Sequence, residues 1–296
     1  ASSPLPVVLK ADGLASGKGV IVCTEKEQAI TAVHEMMEQH AFGTAGNTLV
    51  VEEFLEGQEA SVFALCDGRD FITLAPAQDH KRALDDDQGK NTGGMGAYAP
   101  APVVTDDILQ TVEQEIIRPT MEGMAADGAP FTGCLYVGLM VTASGPKVVE
   151  FNCRFGDPET QVVLPLFDGN IVELFVASCS GGIAEYRNLD RMKTRRGAAV
   201  CVVLASQGYP DKYSVGHPIR GLDAVARLDN ITVFHAGTRL DGGTLLTAGG
   251  RVLAVTAVRR DGSLGRAIDD VYQAVDRISF EGMHFRRDIG RKAMAY

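Results

Sequence analysis

Short apolar runs rich in Val, Ile, Leu and Ala recur along the whole chain, and each is cut within a few residues by Gly, Pro or a charge. This punctuation, with 33 Gly and 12 Pro in 296 residues, constrains the fold more than any other feature. No stretch approaches the ~18–20 apolar residues of a membrane-spanning helix. The length suits about two domains of roughly 100–200 residues each. There are 28 basic and 38 acidic residues, a formal net charge of −10, which argues against a non-specific nucleic-acid binder. An anionic ligand would therefore need a local basic patch. The six cysteines contain no CxxC and lie mostly in apolar runs, as buried thiols in a reducing compartment would. The six histidines show no metal-binding spacing. No signal peptide is visible, so a cytoplasmic location is expected. The chain opens at Ala1 and enters a strand-like run, Leu5 to Leu9, almost at once, which reads as a chain joined partway through a domain.

Patterning predicts strands over 5–11 and 19–23 around a Gly-rich turn, then a helix opened by a Thr24/Glu27 capping box. A strand pair is expected over 48–55 and 59–66 around Glu56-Gly57, and a strand over 70–77. The polar stretch 78–98, with Asp85-Asp86-Asp87, reads as a loop with a solvated acidic run. A helical stripe covers 106–125, with Pro119 expected to kink or break it. Strands at 132–142 and 146–153 precede helices at 158–166 and 170–180. The basic stretch Arg187 to Arg196 reads as an exposed connection to a separate, mostly β unit with strands at 197–205, 231–236 and 251–258 and a helix at 263–279.

Four constellations could carry chemistry. Lys10 to Gly19 is a strand–turn–strand with three Gly and a Lys near each end, suited either to cradling phosphate or to an ordinary hairpin. It is not a Walker A loop, because Gly19 stands where Ser or Thr is required after Lys18. Along 150–154 the strand period puts Glu150, Asn152 and Arg154 on one face. The oxygens of Glu150 and Asn152 are hard donors suited to Mg²⁺, and Arg154 would meet the same phosphates; a solvated strand face is the plainer reading. The turn Phe155 to Thr160 leads into a helix N-terminus, which favours anions. Asn91-Thr92-Gly93-Gly94-Met95-Gly96, preceded by Asp79-His80-Lys81-Arg82, could close over an anion or be a surface loop. Glu52-Glu53-Phe54-Leu55 leads from a strand edge into a turn and could present backbone groups to a flat heterocycle.

Five strings carry a resemblance: KADGLASGKGV at 10–20, EEFLEGQEAS at 52–61, DHKR at 79–82, NTGGMGAYAP at 91–100 and EFNCRFGDPETQ at 150–161. With them the whole chain resembles the glycinamide ribonucleotide synthetase family of ATP-grasp ligases. The resemblance implies an α+β chain: an ATP-grasp fold of two subdomains that clasp ATP, a lid over 1–66 and a metal and catalytic part over 67–190, then a small β-rich domain over 191–296. It implies ATP contacts from Lys10, Gly17, Lys18, Glu52, Glu53, Phe54, Leu55 and Glu59. It implies Mg²⁺ or Mn²⁺ on Glu150 and Asn152, with no acid on the preceding strand, Tyr136-Val137-Gly138-Leu139. Arg154, Lys81 and Asp157 match catalytic positions, while Asn91, Thr92, Gly93, Gly94 and Asp157 match the side facing glycine and phosphoribosylamine. Glycine would be joined to phosphoribosylamine through a glycyl phosphate, with neither nucleic acid nor membrane as partner. Family members open with a further N-terminal α/β domain, which nothing before Ala1 supplies and which would be the missing partner. A different ATP-grasp carboxylate–amine ligase, or a nucleotide-binding fragment without ligase activity, are the alternatives.

Overall fold

Val7 and Leu9 alternate with Val8 and Lys10 along β1 (Val7–Ala11), and only the first pair is fully buried. The computed structural model describes residues 4–15, 19–188, 193–194 and 197–296. They form two compact units, 1–57 and 58–296. In the first unit β1 lies between β2 (Val20–Cys23) and β3 (Leu49–Glu53) in an antiparallel sheet. Helix α1 (Lys26–Val33) and the turn after it cover one face, where Ala32 and Met36 join Val7, Leu9 and Cys23. The expected capping box is not formed: Glu25 is the N-cap residue without a side-chain cap, and Thr24 N–H donates to Gln28 Oε1 at 2.9 Å. Gln28, one position further on, takes the place of Glu27.

The strands of the second unit are β4 (Gln58–Asp67), β5 (Phe71–Thr73), β6 (Gln78–Asp79), β7 (Arg82–Leu84), β8 (Gln88–Asn91), β9 (Gly96–Ala99), β10 (Thr132–Thr142), β11 (Gly145–Asn152), β12 (Phe167–Asp168), β13 (Lys193–Thr194), β14 (Ala198–Ser206), β15 (Ile231–His235), β16 (Thr238–Asp241), β17 (Thr244–Thr247), β18 (Arg251–Arg259) and β19 (Met283–His284). One antiparallel sheet runs β11-β10-β4-β5. β4 is apolar on both faces, so both must be covered. Ala60, Val62, Ala64 and Cys66 share a core with Val112, Ile117 and Met121, whereas Phe63 and Leu65 pack with Tyr136 and Leu174. The expected pairing across Glu56-Gly57 is absent, because β3 pairs with β1 and β4 takes the long strand β10 instead.

Helix α2 (Asp106–Thr111) starts at Thr105, whose Oγ1 accepts from Ile108 N–H, and leads through a π-helical turn, Val112–Ile117, into α3 (Arg118–Ala126). Pro119 does not break the rod: it sits in the first turn of α3, and the wider π turn before it removes the need for its missing N–H. Helices α4 (Thr160–Val163), α5 (Ile171–Ser180), α6 (Ile183–Asn188), α7 (Leu222–Val225) and α8 (Leu264–Val275) follow.

The largest correction concerns 78–98. This polar stretch contains four strands, and its last, β9, is buried throughout. β9 lies inside a second antiparallel sheet of order β15-β18-β14-β9-β6, with β19 also on β14. β14, β15, β18 and β19, all after residue 197, thus share a sheet with β6 and β9. Ala267, Val271, Ala274 and Val275 of α8 join the core with Val200, Val202 and Val255; Val162 and Val163 of α4 pack with Ala97, Ala199 and Cys201.

Candidate functional site

Strand registers put one polar row across the first sheet. Ser61 faces Gly138, and Gly138 faces Glu150; one step along, Phe63 faces Tyr136, and Tyr136 faces Asn152. Glu150 and Asn152, two residues apart, share this face by strand alternation, and a bulge at Val149 lies just before them. Gly138 is needed for the close approach: a Cβ there would stand 3.0 Å from Glu150 Cγ and 3.2 Å from Tyr136 Cε1. The position without an acid therefore gives Glu150 its room. Glu150 is exposed and Asn152 half-buried, and together they offer one carboxylate and one amide oxygen. These hard donors fit Mg²⁺ or Mn²⁺, which would take its remaining ligands from water and phosphate. Among the described residues no group of three or more His, Cys, Asp or Glu is placed to hold a metal by itself.

A charged cluster shares a small cavity with Glu150, lined also by Glu59, Ser61, Asp79, Lys81, Tyr136 and Gly138. Lys81 Nζ meets Glu59 Oε2 at 2.5 Å. Tyr136 Oη and Ser61 Oγ lie 2.8 Å apart, and Ser61 Oγ donates to Glu159 Oε1 at 3.3 Å. Burial disfavours the charge on Lys81, but Asp79 and Glu59 outweigh it and hold its pKa above the usual lysine value. Close packing by protein pushes the Asp79 carboxyl up to about 7, against the pull of Lys81. Glu159, buried, is raised as well. The cluster thus sets one firmly charged lysine beside two buried carboxyls, Asp79 and Glu159, that protonate more readily than exposed ones.

The loop that follows is tied down. Asp87 pairs with Arg286 at 3.0 Å and Lys292 at 2.5 Å, Asp85 Oδ1 accepts from Arg287 N–H, and Asp86 N–H donates to Asp288 Oδ2. The acidic run expected to be solvated is the counter-charge of the C-terminal segment. Arg286 is fully buried, and its guanidinium also donates to both Asp288 oxygens and to Arg82 O. His80 is buried beside this group against the Tyr98 ring, with no hydrogen-bond partner on either ring nitrogen. Burial and the nearby Arg286 charge push its pKa down to about 3.

The Asn91–Gly96 segment leads into β9. Asn91 and Gly93 are exposed, Thr92 is half-buried, and Gly94 is buried at φ +108° with its missing Cβ 2.4 Å from Pro158 Cδ. Asp157 Oδ2 accepts from Arg251 Nη2 at 2.9 Å and its Oδ1 from Gln161 Nε2 at 2.8 Å. Arg154 is exposed and donates to Phe155 O. Lys81, Glu59, Glu150, Asn152 and Asp157 all belong to the second unit, as do Asn91 to Gly94 and Arg154. The sequence pattern gave no site role to Asp79, Ser61, Tyr136, Glu159 or Arg251. Asp79, Ser61 and Glu159 lie within quoted motif strings, whereas Arg251 lies in none.

In the first unit Lys10, half-buried, pairs with Glu52 Oε2 at 2.6 Å across the β1–β3 pair. Glu53 and Phe54 are exposed and Leu55 half-buried. Gly17 and Lys18 lie outside the described residues; Ala11 N–H donates to Gly19 O at 2.8 Å.

Comparison with known proteins gives two family matches. "Phosphoribosylglycinamide synthetase, ATP-grasp (A) domain" matches residues 1–160, and "Phosphoribosylglycinamide synthetase, C domain" matches 199–292. A phosphoribosylamine–glycine ligase of Chlorobaculum tepidum is 53% identical over 98% of this chain and 67% of its own length. The human trifunctional purine biosynthetic protein adenosine-3 is 46% identical over 98% of this chain, which spans 28% of that protein. The crystal structure of a phosphoribosylamine–glycine ligase from Thermotoga maritima superposes with a TM-score of 0.81 at 35% identity, covering 96% of this chain and 68% of that one. The biotin carboxylase domain of a Hydrogenobacter thermophilus 2-oxoglutarate carboxylase, at 16% identity and a TM-score of 0.68, covers 95% of this chain and 58% of that one and shares the fold. The chain spans about two thirds of the length of its single-function relatives.

Proposed function

Because the chain belongs to the phosphoribosylglycinamide synthetase family, we propose that it carries the ATP-grasp and C-domain parts of a ligase that joins glycine to 5-phosphoribosylamine, giving glycinamide ribonucleotide, ADP and phosphate. The fold is ATP-grasp, of the α+β class. The glycine carboxylate takes the γ-phosphoryl group of ATP, and the amine then displaces phosphate from the glycyl phosphate to form the amide. No protein nucleophile is required. The work is charge neutralisation and alignment, which dominate phosphoryl transfer. The observation that supports this most directly is Lys81, held charged, in one cavity with Glu150 and beside the Asn152 strand face.

In the second unit Lys81 and Arg154 neutralise the transferring group, Glu59 takes the ribose hydroxyls, and Asp157 with Asn91, Thr92, Gly93 and Gly94 faces the two other substrates. In the first unit Lys10, with Gly17 and Lys18, contacts phosphate, and Glu52, Glu53, Phe54 and Leu55 line the adenine. Glu150 and Asn152 would hold Mg²⁺ or Mn²⁺, which supplies further charge to the phosphate oxygens. The test is product analysis with the complete polypeptide, ATP, Mg²⁺ and a panel of acids and amines. Amide formation confined to glycine with phosphoribosylamine is expected. Equal turnover of another acid–amine pair would show a different carboxylate–amine ligase.

A further inference from the structure

Arg251, at the start of β18, reaches two segments far away in sequence. Its Nη1 donates to Gly93 O at 2.8 Å and to Asp157 O at 2.7 Å, and its Nη2 donates to Asp157 Oδ2 at 2.9 Å. Its side chain is only 22% exposed. Two of the three acceptors are main-chain carbonyls, so the guanidinium fixes backbone positions. A second contact from the same end of the sheet supports it: Gly93 N–H donates to Tyr209 Oη at 3.0 Å. The next residue, Gly94, rests on Pro158 of the Asp157 turn. The glycine loop and the Asp157 turn therefore have no freedom to slide past one another while Arg251 is in place. A planar fork suits this task, because one lysine ammonium cannot reproduce three donors in one fixed plane.

We propose that Arg251 is a positioning residue: it clamps the Asn91–Gly94 loop to the Asp157 turn, and so holds together the surface that receives the two substrates other than ATP. This rests on the substrate-facing role proposed above for Asn91 to Gly94 and Asp157. Misplacing such a surface by about 1 Å can cost up to about 100-fold in catalysis. The nucleotide contacts proposed above are not among the groups Arg251 touches.

The test compares the complete polypeptide with its Arg251→Ala and Arg251→Lys variants by two readouts. Hydrogen exchange is followed at the amides of 92–96, and KM is measured separately for ATP, glycine and phosphoribosylamine. In Arg251→Ala, faster exchange at 92–96 and a rise of about 10–100-fold in KM for glycine or phosphoribosylamine are expected, with KM for ATP within about twofold. Added guanidine should restore part of the loss, and Arg251→Lys should fall between the two. Unchanged exchange at 92–96, or an equal rise in KM for ATP, overturns the clamp. Loosened exchange with all KM values unchanged overturns its link to substrate. If the wild type makes no amide from these substrates, the functional reading fails, while exchange still judges the clamp.

Discussion

Glu150 is the residue on which the proposed metal site turns, because it brings the one carboxylate of the Gly138–Glu150 pair. Glu150→Gln keeps shape and removes charge. It should weaken Mg²⁺-dependent activity by at least ~1.5–3 kcal/mol, the difference a charge-assisted contact makes, with the melting curve near wild type. Titrating Mg²⁺ against activity reads this out, and an unchanged Mg²⁺ requirement would count against the site. His80 offers a different prediction. Its pKa is pushed from 6.5 to about 3 by burial and Arg286, with Lys292 adding to the fall and Asp288 and Asp87 opposing it. Below pH 6.5 the unfolded chain takes up a proton that the folded chain refuses. Stability from the neutral imidazole is thus complete above that value and is lost as pH falls toward 3. His80→Gln should flatten the acid limb of stability by up to about 1.4 kcal/mol per pH unit relative to wild type. Parallel acid limbs in urea titrations would refute the assignment.

At the scale of elements, most strands could be read from alternation, and the polar ones could not. β11 follows its Val and Phe pattern, and α5 follows its Asn170 cap, whose Oδ1 accepts from Val172 N–H and Glu173 N–H. β9 is Gly-Ala-Tyr-Ala, without a β-branched residue, and becomes a strand only because β14 and β6 flank it. Tertiary pairing overrides composition there. The motifs that identified the family are contiguous, so they survive the loss of tertiary information. The cluster of Ser61, Tyr136 and Glu159 and the reach of Arg251 depend on registers between segments far apart, which no local pattern carries. The Asp85 to Asp87 run shows the same limit, since its partners come some 200 positions later. One prediction belongs to that link. Arg286→Ala leaves Asp288 and Asp87 without their buried partner and should cost about 3–5 kcal/mol in denaturant unfolding. A loss below about 1 kcal/mol would mean that the network is dispensable.

The molecule as a whole is uneven. The first unit buries little apolar surface, with Val7, Leu9, Cys23, Ala32 and Met36 at its centre, while the second carries both large cores. Small domains retain little net stability after chain entropy is met. Residues 58–296 made alone should unfold cooperatively, whereas residues 1–57 alone should lack a cooperative transition by circular dichroism. A sharp transition for the short fragment would contradict this. The central place of β9 matters also in time. Its neighbour β14 begins about a hundred residues later, which at typical synthesis rates of ~5–20 residues per second leaves β9 waiting roughly 5–20 s for its partner. During each round of translation an apolar strand with one open edge stands outside the ribosome. That open edge belongs to the nascent chain alone, because pairing with β14 closes it in the finished one.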